Sequence, residues 1–179
     1  MNAIATERLL GVRLLHRQPV RARDGMAGEL ADILLDDARW LVRYLVIDDL
    51  GPMPRRDVLV QPPQAVLTGD AVRLSLSREE LKHCPDLDAD RPVYLQYDMH
   101  GAPRAADPHL RSAEIMLGFA VRERGTAAGR LRDIEIDADQ WKVASLLVDS
   151  GIWLQGQRRV VMPADVRSID WIARTIELR

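Results

Sequence analysis

The sequence predicts an all-β protein made of two tandem copies of one small antiparallel unit. Two observations carry this. The chain repeats itself at an offset of about 101 residues, and each copy is a series of short, branched-apolar runs bounded by Gly, Pro or Asp. Composition agrees: 47% of the 179 residues are hydrophobic but only 4% are aromatic, so the core must be built from Val, Leu, Ile and Ala. At 20.2 kDa the chain has the length of one domain or two small ones.

The repeat is read by setting GELADILLDDARWLVRYLVIDD, from Gly28, beside GRLRDIEIDADQWKVASLLVDS, from Gly129. Gly28 matches Gly129, Leu30 matches Leu131, Asp32 matches Asp133 and Ile33 matches Ile134. The matches continue at Asp36/Asp137, Trp40/Trp141, Val42/Val143, Leu45/Leu146, Asp48/Asp149, Val60/Val161 and Pro62/Pro163. These are eleven identities over 35 ungapped positions. Chance gives about two or three, and shared strand composition does not explain matched Trp, Gly, Pro and Asp. Gly11 and Gly118 each open an apolar run. Pairing them gives the first copy a longer opening hairpin, through HRQPVRARDG, with Asp24-Gly25 as its turn and Gly125-Thr126 as the weaker counterpart.

The elements follow in order. Leu9 to His16, Glu29 to Asp36, Trp40 to Asp48 and Val58 to Gln61 read as strands, and Ala71 to Leu76 alternates as a half-buried strand does. The second copy gives Gly118 to Arg122, Arg130 to Asp137, Trp141 to Asp149, Arg159 to Met162, Ser168 to Ile172 and Thr175 to Leu178. Such short, closely spaced strands predict a small barrel or sandwich and leave no room for crossover helices. Ser77-Arg78-Glu79-Glu80 is a capping-box signature, so a single short helix starts there and Pro85 stops it. Four prolines between Pro85 and Pro108 make residues 85–110 a linker, with an extended piece at Val93 to Asp98. The resulting division is 1–84, a linker 85–110, and 111–179.

The pattern Gly-x-Leu-x-Asp-Ile, then Asp, Trp, an apolar run, Asp and Val-x-Pro resembles the PRC-barrel family. SREELKHCPDLD after the first copy and HLRSAEIMLGFAV before the second resemble the same family in its tandem form. The resemblance covers nearly the whole chain. It implies two small, partly open antiparallel β-barrels. The family includes the cytoplasmic part of the photosynthetic reaction-centre H subunit and the C-terminal domain of a ribosome maturation factor. Both are non-catalytic and act by contacting protein or ribonucleoprotein partners. Neither a membrane helix before the first barrel nor a separate N-terminal barrel of the ribosome-factor type is expected from these 179 residues, so neither role is implied.

Chemistry is hard to find. Asp32 and Asp36, like Asp133 and Asp137, stand an even number of residues apart and so share a strand face. An acid–base pair or a hard-metal site would use such carboxylates. Their appearance in both copies favours a repeated structural role instead: Asp36 and Asp137 precede the Trp strand, where Asp accepts backbone amides in a turn. Of the histidines, His16, His83, His100 and His109, none forms a helical i, i+4 metal pair. His100 and His109 share the linker with Asp98 and Asp107. There is no nucleophile elbow, P-loop or dinucleotide fingerprint. No catalytic residue, cofactor or metal ligand is nominated, and the chain is not expected to be an enzyme.

Nucleic acid is not an expected partner. Lys plus Arg is 25 against 27 Asp plus Glu, a net charge of −2. The basic stretches around Arg17, Arg21 and Arg23, Arg55-Arg56, Arg122 and Arg124, and Arg158-Arg159 lack the stacking aromatics of single-strand binders. Cys84 is the only cysteine, which excludes an intrachain disulfide and a multi-cysteine zinc site. A reactive thiol would need an electropositive, exposed setting, to which Lys82 and His83 could contribute. Charge interrupts the N-terminus at Glu7, Arg8 and Arg13, and no apolar run reaches about 18 residues. A cytoplasmic protein without membrane insertion is expected.

Apolar surface is the better lead. The loop Ile152-Trp153-Leu154 stands where the first copy has Gly51-Pro52-Met53, and Trp171 lies near the end. Tyr94 and Tyr97 of the linker are expected to lie against a barrel. Trp153, Leu154, Trp171, Tyr94 and Tyr97 are therefore the candidate partner-binding residues. Matched Trp40 and Trp141 are expected to be packing residues. The expected function is that of a protein-interaction or assembly adaptor with a protein partner, the two copies packing together or pairing with another chain's as a homo-oligomer. The alternatives are a ribosome- or RNA-associated factor, and a small-ligand binder using a cleft between the copies.

Overall fold

The computed structural model describes residues 8–49, 56–96, 106–150 and 158–179. The first half carries β1 (Leu9–Gly11), α1 (Val12–Leu15), β2 (Pro19–Ala22), β3 (Gly25–Asp36), β4 (Leu41–Asp49) and β5 (Asp57–Val60). A 3-10 turn at Pro62–Gln64 leads to β6 (Ala65–Leu67), β7 (Val72–Leu74) and α2 (Arg78–Lys82). A second 3-10 turn, Val93–Leu95, lies in the linker. The other half carries β8 (Leu110–Ser112), α3 (Ala113–Met116), β9 (Ala120–Glu123), β10 (Thr126–Asp137), β11 (Lys142–Asp149) and β12 (Arg158–Val161). A third 3-10 turn, Pro163–Asp165, precedes β13 (Val166–Asp170) and β14 (Thr175–Leu178). The fold is all-β in class, one curled open sheet whose main path runs β13-β14-β9-β10-β11-β4-β3-β2-β7-β6.

The offset of 101 holds from the first strand. β1 and α1 occupy the places of β8 and α3, and β2 that of β9. Gly11 therefore answers to Ser112, not to Gly118, and the first half has no longer opening hairpin. Its β2–β3 turn falls at Arg23-Asp24 rather than Asp24-Gly25. The second half turns at Arg124-Gly125, both at positive φ (50° and 77°), which is the requirement of a type I′ turn.

Other expectations are corrected too. Leu9 to His16 is not one strand: three residues pair and the next four coil into α1, burying Val12 and Leu15. The expected strand at Gly118 becomes β9, starting at Ala120. Val93–Leu95 is a 3-10 turn rather than an extended piece. Two pairings, β2 with β7 and β9 with β14, are parallel in an otherwise antiparallel sheet. The capping box does form: Glu80 N donates to Ser77 Oγ at 3.2 Å, and Ser77 N donates to Glu80 Oε2 at 2.6 Å.

The halves are interlocked. β1 pairs with β10 of the other half, and β8 pairs with β3 of the first. Each opening segment thus completes the opposite half, and Leu15 and Met116 are fully buried in a core that draws on both. The link between halves is equally symmetric. Val42 N donates to the Trp141 carbonyl at 2.8 Å, and Val143 N donates to the Trp40 carbonyl at 2.9 Å. Trp40 and Trp141 both sit at φ 56°, and both rings pack on the core.

Candidate interaction surface

The repeated carboxylates organise backbone. Asp36 Oδ1 accepts from Ala38 N and Arg39 N, both at 3.0 Å, and Asp137 Oδ1 accepts from Asp139 N and Gln140 N at 2.9 Å. Asp32 does something else. Its Oδ1 accepts from Glu114 N at 3.0 Å and from Ile33 N at 2.7 Å, while Ser112 Oγ donates to Oδ2 at 2.5 Å. It therefore holds the start of α3. Asp133 holds α1 in the same way, accepting from Arg13 N at 3.1 Å. Register shifts in β3, between Leu30 and Asp32 and between Leu34 and Leu35, break the simple alternation. Asp32 and Asp36 consequently serve different partners and form no acid–base pair. Burial pushes the Asp32 carboxyl up to about 6, against the bonds from Ser112, Glu114 and Ile33 that favour its charge.

Several of the remaining polar candidates are also engaged. Asp37 takes His109 Nδ1 on one oxygen and Arg111 Nε on the other, both at 2.6 Å. Arg17 reaches Glu29, and Arg23 reaches Glu80 at 2.6 Å. Arg159 makes two bonds to Glu123, at 2.9 and 2.8 Å. Burial pushes the Cys84 thiol up, away from the reactive range. Among the described residues, no three His, Cys, Asp or Glu side chains form a group able to share a metal ion. His100 and Arg55 lie outside the described residues.

Of the five nominated partner-binding residues, two are described, and the fold brings them together. Tyr94 stacks on Trp171 with ring centroids 6.3 Å apart, and Trp171 packs on buried Phe119 at 5.3 Å. Both are half-buried. Trp171 borders a groove of about 470 Å³ that also holds Val93, Gln96 and exposed Ile172. Trp153, Leu154 and Tyr97 lie outside the described residues.

A second surface emerges from comparing equivalent positions in the two halves. On the outer face of the first half, Leu34, Val46, Leu59 and Leu110 form a separate buried cluster, with Leu59 and Val46 2% exposed and Leu110 0%. Residues after α2 cover it. Leu59 N donates to the Pro85 carbonyl at 2.7 Å, Val58 bridges to Asp86, and Leu87 packs on the cluster.

In the second half the matching apolar positions are Leu147, Val160 and Leu9. Val160 is 59% exposed and Leu9 41%. β12 pairs with β11 in the register of β5 with β4, Val160 opposite Leu147 as Leu59 is opposite Val46. Among the described residues, no strand or bridge pairs with β12 on its other side. The sequence pattern of the second copy does not single out this face. The one available signal was the match of Val160 with Leu59 at the repeat offset.

No helix among the described residues is long and apolar enough to cross a membrane. No protein-family model matches the chain, and no curated protein is significantly similar to it.

Proposed function

We propose that this chain is a non-catalytic interaction module, an adaptor or assembly protein built from two PRC-barrel-like units. In this reading 1–84 and 111–179 are the units, 85–110 joins them, and each unit is completed by the opening segment of the other. One observation carries the reading: β12 presents an exposed valine on an edge strand, over a face that the first half keeps covered. Edge strands with apolar side chains are templates for pairing with another chain, and proteins ordinarily cover or charge them. The family resemblance points the same way.

A small-ligand reading has one observation in its favour. A groove of about 520 Å³ between the halves is lined by Asp37, His109 and Arg111 on one side and by Arg167 and Arg179 on the other. Asp37, His109 and Arg111 are already bonded to one another, however, which leaves them fewer groups to offer a ligand.

The test is native affinity purification from the source cell, with and without nuclease, read by mass spectrometry. A nuclease-resistant protein recovered in stoichiometric amount supports the adaptor reading. Recovery of the chain alone, or of a partner that nuclease removes, contradicts it.

A further inference from the structure

We infer that the outer face of the second half binds an extended, acidic, leucine-bearing segment of a partner protein, which adds as a strand to β12. The inference rests on the adaptor reading and specifies the partner's chemistry.

The first half supplies the template. There Pro85 and Asp86 run antiparallel along β5, with the Pro85 carbonyl on Leu59 N and Asp86 bridged to Val58. Asp86 Oδ1 then accepts from Asp88 N at 3.1 Å, turning the chain so that Leu87 lies on the Leu34, Val46, Leu59 and Leu110 cluster. Arg56 adds an ion pair to Asp86 at 3.8 Å. The cover is thus a short strand, one leucine and one carboxylate.

Among the described residues, the second half repeats the receiving surface without the cover. Register equivalence turns the Val160 amide outward, as Leu59 turns its own toward Pro85. Leu9, Leu147 and Val160 stand where Leu110, Val46 and Leu59 receive Leu87. The surrounding charge has changed at several positions, two of them becoming cationic. Exposed Arg158 replaces Asp57 at the head of the strand, and exposed Arg132 replaces Ala31 beside the cluster. Glu135 replaces Leu34, but it accepts a bond from Ser145. A cationic rim around three aliphatic side chains selects an acidic segment carrying a leucine. Backbone bonding to β12 gives affinity, and the leucine and carboxylate give specificity.

The probe is a synthetic peptide with the sequence of residues 83–90, titrated into the full-length ¹⁵N-labelled protein. We expect shifts at the amides of Arg158 to Val161 and of Leu147. Replacing the peptide's leucine by alanine weakens binding at least tenfold, and so does Val160→Asp in the protein. Arg158→Glu, a second surface change, weakens it several-fold and removes the preference for an acidic over a neutral peptide.

Shifts confined to other surfaces, or none at millimolar peptide, overturn the inference. Self-association that Val160→Asp abolishes would assign the face to a second copy and overturn it equally. A stoichiometric cellular partner captured as well by Val160→Asp as by the natural chain overturns this inference but leaves the adaptor reading standing. Failure to capture any partner removes that reading whatever the peptide does.

Discussion

Ser112 donates its hydroxyl to the carboxylate of Asp32 at 2.5 Å, across a junction between the two halves of the chain. The equivalent pair is Gly11 and Asp133, and a β-carbon at Gly11 would stand 2.5 Å from Asp133 Oδ2. One half bonds its exchanged segment through a side chain; the other brings backbone against the same carboxylate. Both aspartates cap the first turn of the segment they receive.

Asp32 should make stability depend on pH. Its pKa is raised in the folded protein from 3.8 to about 6, burial being the main cause. A raised pKa favours the protonated form in the native state, so the contribution is present below about pH 4 and lost as pH rises through about 6. The rise corresponds to about 3 kcal/mol at most. Asp32→Asn keeps the shape without the charge. Its melting temperature relative to the natural protein should therefore be higher at pH 7 than at pH 4, measured by thermal unfolding followed by circular dichroism.

Gly28 and Gly129 should resist substitution for a steric reason. A β-carbon would lie 2.1 Å from the Asp48 carbonyl oxygen in one half and 2.3 Å from that of Asp149 in the other. Backbone cannot move aside as a side chain can. Gly28→Ala and Gly129→Ala should each cost about 1–3 kcal/mol or more in urea unfolding. Gly125, at φ 77° with nothing within 4 Å of its β-carbon, is the contrast. Gly125→Ala should cost only about 1 kcal/mol, the conformational cost alone.

Interlocking predicts that the halves unfold together. Leu15 and Met116 each anchor an exchanged segment in the shared core. Leu15→Ala and Met116→Ala should each lose about 2–5 kcal/mol, the range for large-to-small core changes. Each variant should still unfold in a single transition, with calorimetric and van't Hoff enthalpies in agreement. Two resolved transitions would mean that the halves are independent.

Much of this architecture was legible in the sequence. The strands, the capping box at Ser77 and the turn role of Asp36 and Asp137 follow from local patterns, because local hydrogen bonds and strand alternation produce them. The repeat offset revealed the duplication. The exchange of opening segments was not legible. The pairs Leu34 with Ser112 and Ile136 with Leu10 are long-range, and nothing in either segment says which half receives it. Pairing Gly11 with Gly118 misled for a related reason: the segments are equivalent in three dimensions, with Ser112 in place of that glycine. The open face around Val160 escaped notice because exposure of one valine becomes informative only beside its covered counterpart, Leu59.

The account turns on that contrast, and amide hydrogen exchange at Leu59 and Val160 tests it most directly. Leu59 N is bonded to the Pro85 carbonyl at 2.7 Å, whereas Val160 occupies the same register on a strand with no described neighbour on that side. In the isolated protein, Leu59 should be protected and Val160 should exchange orders of magnitude faster. Equal protection at the two positions would show that β12 is already covered and would contradict the account.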